Sequence, residues 1–66
     1  MPVICKLRGE EIPEDIHELR FLFAVAPRVG EFLDVSWQEE INQSYVVEAV
    51  RHSNDEFVIL HVREVK

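Results

Sequence analysis

The segment YVVEAVRHSNDEFVILHVREV, residues 45–65, constrains the fold more than any other part of the chain. Two runs rich in β-branched and aromatic residues flank a short polar interruption, SND, which is the pattern of a β-hairpin. Closing it near Asn54–Asp55 pairs Ser53 with Glu56. That register sets Tyr45 opposite Glu64, Val47 opposite Val62 and Ala49 opposite Leu60 on one face. On the other face His52 meets Phe57, Val50 meets Ile59 and Glu48 meets His61. The first face, with Tyr45, Val47, Ala49, Val58, Leu60 and Val62, is the cleaner core. The second mixes Val46, Val50, Phe57 and Ile59 with Glu48, His52, His61 and Arg63. A bulge near Glu48 would re-aim part of this pattern, because one extra residue moves everything beyond it to the opposite face.

The rest of the chain supplies shorter elements. PVICKLR alternates Val3, Cys5 and Leu7 against Ile4, Lys6 and Arg8, the period of a half-buried strand that Gly9 ends. Ile12, Ile16, Leu19 and Phe23 then fall at helical spacing. Pro13, Glu14 and Asp15 suit a first helical turn, so 13–19 reads either as a short helix or as an acidic loop entering a strand near Leu19. RFLFAVA reads as a strand buried on most of its surface. Pro27 stops it, lacking the amide hydrogen a central ladder needs, and PRVG reads as a tight corner before the strand EFLDV. Ser36 and Glu39 form a capping-box pattern, consistent with one helical turn over 36–42 or with a polar loop. The predicted core is Leu7, Phe21, Phe23, Phe32, Val47, Leu60 and Val62.

Such elements make a mainly β fold: a small, partly open antiparallel barrel of four to five strands with one short helix. Sixty-six residues allow a single domain, residues 1–66, with a marginal core. Curling the sheet removes edges that a flat one would expose. The run PRVGEFLDV, followed by YVVEAV and a final strand, resembles a pattern in short uncharacterised bacterial and phage proteins with SH3-like barrels. There a Pro-x-x-Gly-acid corner leads into a strand, and a Tyr-x-Val strand follows. The resemblance covers Pro27 to Val65 and implies an SH3-like fold without implying an activity. The residues around Trp37 depart from the tight hairpin expected at that point.

Charge narrows the partners. Thirteen Asp and Glu oppose seven Lys and Arg, a formal net charge of −6. The cations are scattered singly along the chain, whereas a nucleic-acid backbone calls for clustered ones, so direct nucleic-acid binding is not expected. No run approaches the length of a membrane helix, and the opening residues lack the pattern of a signal peptide. With one cysteine, no intramolecular disulfide forms, and a cytoplasmic location is expected.

Nothing in the sequence carries a catalytic signature. Cys5 sits in a strand with no base beside it, Ser36, Ser44 and Ser53 lie in turn-like contexts, and Glu39–Glu40 diverge on any regular structure. His17, His52 and His61 lack the paired spacing of a structural zinc site. The expectation is a non-enzymatic chain without metal or cofactor, acting as a protein-interaction module. The alternatives are a structural homo-oligomer and an acidic inhibitor whose carboxylates mimic phosphates. The candidate contact residues are Arg28, Trp37, Val46, Glu48, Val50, Phe57, Ile59 and His61. Trp37 is either a lid on the barrel's open end or an interface anchor. Arg28 is either a solvated turn residue or a contact to an acidic or carbonyl group. The acidic run Glu10, Glu11, Glu14, Asp15 and Glu18 is either a solvated face or a surface for a basic protein. Val46, Val50, Phe57 and Ile59 on one face are too many apolar groups to leave in water. They are covered either by a partner or by the segment from Pro13, through Ile12, Ile16 and Leu19. Glu48 across from His61 is expected to interact with it and favour the imidazolium.

Overall fold

The alternating segments do become strands. The computed structural model describes residues 2–38 and 41–65, with the backbone alone at 37, 38, 41 and 42. Five strands run β1 (Val3–Arg8), β2 (Phe21–Phe23), β3 (Phe32–Gln38), β4 (Ile41–His52) and β5 (Phe57–Glu64). They form one sheet in the order β2-β1-β5-β4-β3, curled into a half-barrel. The sheet is mixed: β1 pairs with β5 in parallel, and the other pairs are antiparallel. The mainly β, partly open barrel expected from the sequence is what forms, and only the β1–β5 pair departs from its antiparallel arrangement. Parallel neighbours need a long connection, and these two strands lie near opposite ends of the chain, so no local turn signals their pairing.

Alternation assigns the faces. Cys5 and Leu7 of β1, Leu33 and Val35 of β3, Tyr45 and Val47 of β4, and Leu60 and Val62 of β5 are buried on the concave side. Ile12 and Ile16 from the β1–β2 loop close this core, and Val3, Phe21, Phe23, Val50 and Val58 pack at its margin. No polar or charged residue is buried among the described residues, so apolar burial is the main force that holds the core.

The segment after Pro13 is shorter in helix than its periodicity suggests. Only a 3₁₀ turn forms, Glu14–Ile16, with Ile16 N–H donating to the Pro13 carbonyl and His17 N–H to that of Glu14. Burying Ile12 and Ile16 needs one turn, and Leu19 is left 42% exposed. β2 is an edge strand of three residues rather than a buried one, and its Leu22 is 64% exposed.

β2 and β3 lie at opposite edges of the sheet. Residues 24–31 are therefore a strap between the edges and not a corner between neighbouring strands. Four inter-strand gaps amount to about 19 Å, and nine Cα steps reach about 30 Å when extended, so the strap spans the sheet with length to spare for a turn. Pro27, which is buried, helps hold it extended. At its end Glu31 N–H donates to the Arg28 carbonyl, closing a turn in which Gly30 has φ 91°. That left-handed conformation is the reason for the glycine. Gly30 N–H and the Glu31 carbonyl then bond Val47, which docks the strap on β4.

Ser36, Trp37 and Gln38 belong to β3, and β4 begins at Ile41, so strand takes the described part of the region expected as a helical turn or loop. Glu39 lies outside the described residues. Ser36 pairs with Asn42 and Gln38 with Ile41, leaving Trp37 as the extra residue of a bulge.

In the β4–β5 hairpin, Tyr45–Glu64 and Val47–Val62 pair as the sequence register requires. Beyond Glu48 the partners move by one: Ala49 meets His61, Val50 meets Leu60 and His52 meets Val58. Glu48 is the bulge. It turns Val50 and His52 into the concave face and Ala49 and Arg51 out of it, reversing the expected placements of Ala49, Val50 and His52. Phe32 is the other correction to the core. It is 69% exposed, because Leu33 and Val35 take the inward positions of β3.

Candidate interaction surface

The convex side of the sheet follows from the same registers. One row across it runs Leu22, Ile4, Phe57; the next Lys6, Ile59, Arg51; the next Arg8, His61, Ala49; the last Arg63, Val46, Phe32. Apolar side chains stand at the two ends, and cations with one imidazole occupy the middle. The β1–β2 loop reaches this face only at Lys6 and Arg8, through Glu18 and the His17 carbonyl, while its Ile12 and Ile16 go to the concave core instead. The intramolecular cover expected from the segment after Pro13 is thus corrected.

Some of the cations are already engaged. Lys6 Nζ lies 3.3 Å from a Glu18 carboxylate oxygen and 4.3 Å from the centroid of the Phe57 ring, with only 12% of its side chain exposed. Its stem lies along the sheet while the loop supplies the counter-charge. Arg8 Nη1 donates to the carbonyls of Leu7 and His17, at 2.9 and 2.7 Å, and so ties the loop to β1. Arg63 Nε is 3.4 Å from Glu48, an ion pair with both side chains more than half exposed. Ser44 donates to Asp34 at the far end of the face.

Of the candidate residues, Val46, Phe57, Ile59 and His61 share this convex face, and Glu48 stands at its rim in the bulge. Glu48 turns to Arg63 and its backbone is not opposite His61, so the expected Glu48–His61 pair is replaced. Val50 leaves the group for the concave side. Arg28 is remote from it: its backbone N–H donates to Glu31, and its side chain lines an open groove with Val25, Pro27, Val29, Val50 and His52. The lid or anchor role of the Trp37 side chain lies outside the described residues. Sequence reasoning missed Ile4, Lys6, Arg8, Leu22, Arg51 and Phe32 as members of the face. The alternation of Ile4, Lys6 and Arg8 was visible, but only the parallel β1–β5 pairing joins it to β5.

The reactive groups lie on the other side. The Cys5 thiol is fully buried, and burial pushes its pKa up from the ordinary 9.0, which keeps it a protonated, poor nucleophile. The Tyr45 phenol is raised from 10.0 by burial first and then by the carboxylates of Glu64 and Glu11. Among the described residues no group of three or more His, Cys, Asp or Glu side chains is placed to hold a metal ion. No helix of the described residues is long and apolar enough to cross a membrane. Comparison with protein-family models, with curated proteins and with solved structures finds no match to this chain.

Proposed function

We propose that this chain is a non-catalytic protein-interaction module that docks through the convex face of its sheet. The observation that supports this most is the uncovered apolar material on that face: Phe32 and Leu22 are 69% and 64% exposed, and Ile4, Val46, Phe57 and Ile59 stand between them only half-buried. A small domain gains nothing for its own core from aromatic and branched side chains left in water, and such patches mark contact surfaces. A photo-cross-linker at Ala49, in the centre of the face, is expected to capture a discrete protein in extract of the host cell. One at Glu14, in the exposed loop, is not. Phe32→Ser should fold as wild type by circular dichroism and lose the capture. Unchanged capture by both Phe32→Ser and Ile59→Asp, each folded, would refute docking through this face.

A second reading, the homo-oligomer, is favoured by one feature. β3 pairs only with β4 and presents its other edge, which is a template for another strand. Asp34 at the middle of that edge and the bulge at Trp37 oppose regular self-pairing there. Sedimentation equilibrium distinguishes the two readings, since the module is expected to be monomeric.

A further inference from the structure

Building on the docking reading above, we infer that the partner presents an acidic, extended protein segment with apolar residues at its two ends. The chain is strongly acidic, yet four of its seven cations, Lys6, Arg8, Arg51 and Arg63, point out of one face, and Arg20 stands at its rim beside Ile4 and Phe57. The carboxylates of Glu10, Glu14 and Asp15 are exposed in the β1–β2 loop. Glu11, Asp34 and Glu48 stand at the Phe32–Arg63 end of the face and Glu18 pairs with Lys6, which leaves the cations in excess in its middle, around Arg51 and His61. Lys6 and Arg8 are committed to the loop. Arg51 and His61 have no hydrogen-bond or ion-pair partner among the described residues, and the exposed Arg63–Glu48 pair can exchange its carboxylate for another at little cost.

Spacing defines the segment. Ile59, His61 and Arg63 stand at alternate positions of β5, about 7 Å apart, which is the side-chain repeat of an extended partner. Ala49, opposite His61, leaves room between Arg51 and Val46 for an incoming side chain. From Phe57 to Arg63 is about 20 Å, the length of six or seven extended residues. The complementary segment is apolar, then acidic, then apolar. A second copy fits less well, because its own acidic loop has already buried Ile12 and Ile16 and offers charge without apolar side chains. Nucleic acid fits less well too, since its phosphates would meet a chain of net charge −6, and the Phe57 ring is already taken by Lys6.

The probe is the capped peptide Phe-Leu-Glu-Asp-Glu-Leu-Phe, followed by amide chemical shifts of the whole chain at neutral pH. Its counterparts are the same peptide with lysines replacing the three acids, and an oligouridine of eight nucleotides. The acidic peptide is expected to move the amides of Ala49, Arg51, Ile59, His61 and Arg63 and to weaken with added salt. It should bind about tenfold tighter than the lysine peptide and lose about that factor in the double variant Arg51→Gln, Arg63→Gln. Equal binding of the lysine peptide, oligouridine binding on this face, or no shift with the acidic peptide would overturn the proposal. So would a dimer that buries the face in sedimentation equilibrium. If Phe32→Ser abolishes cross-linking in extract while the double variant leaves it intact, docking through the face stands and the acidic partner is wrong.

Discussion

At the scale of single residues, two positions define how tightly the half-barrel is closed. Gly9 ends β1 directly against the backbone of β5, where an added Cβ would run into the Val62 carbonyl. Backbone cannot yield as a side chain end can, so Gly9→Ala is expected to cost about 1–3 kcal/mol, an overpacking penalty. Leu60 is fully buried at the centre of the sheet, between Leu7 of β1 and Val50 of β4. Leu60→Ala should cost about 2–5 kcal/mol, through lost transfer energy and the cavity left behind. Urea unfolding measures both. For a domain this small the second variant could lose most of its stability, and a loss no greater than that of an exposed substitution such as Phe32→Ser would contradict the assigned faces. Phe32 shows how a single residue misleads: its size argues for the core, but Asp34 two positions on requires the same face. Parity therefore sends both outward and leaves Leu33 and Val35 to be buried.

At the scale of elements, alternation was legible and pairing across long separations was not. β1 and β5 follow their patterns closely, and β4 does so from Tyr45 to Val47, because a strand with one wet face must alternate. The 3₁₀ turn and the shortened β2 were misjudged for one physical reason. A few buried anchors, Ile12, Ile16, Phe21 and Phe23, suffice to pin this stretch, and the residues between them need not continue either periodicity. The bulge at Glu48 was legible as a possibility, since the charge interrupts an apolar run, but its effect could be fixed only by which neighbours lie beneath it. It offers a sharp test. Deleting Glu48 removes the extra residue while keeping Val47 and Val50 inward and Ala49 outward, and it sacrifices only an exposed ion pair with Arg63. The deletion is expected to fold and to melt within a few degrees of wild type. Deleting Ile59 instead shifts the register of β5, so that either Val58 or Leu60 and Val62 turn outward, and it should abolish cooperative melting. If both deletions melt alike, Glu48 is not the bulge.

At the scale of the whole molecule, a dry core under a curled sheet makes the fold's pH response one-sided. The candidate face was legible as half of itself: Val46, Phe57, Ile59 and His61 could be read from the hairpin, whereas β1 joins them only through the closure of the whole sheet. The same closure buries Cys5 and Tyr45 from opposite ends of the chain into one interior. Both are acids that are neutral when protonated, and the fold raises both, Cys5 by burial and Tyr45 by burial and then the carboxylates of Glu64 and Glu11. Below the ordinary thiol value of 9.0 both folded and unfolded chains hold these protons, and the stability is fully present. As pH rises past that value the unfolded chain releases the Cys5 proton while the folded chain keeps it. Stability then falls until pH passes the raised folded value. Tyr45 adds a second decline that begins above 10.0. The expected outcome is a wild type that loses stability steeply between about pH 8 and pH 10, with Cys5→Ala losing less over the same interval. Comparing the change with pH, rather than the absolute stability, cancels the cavity that the alanine leaves and the titration of surface lysines common to both chains. Urea unfolding of the two proteins at the two pH values makes the measurement. Parallel declines would show that the Cys5 thiol titrates alike in the folded and unfolded chain, and that it does not lie in the dry interior between β2 and β5.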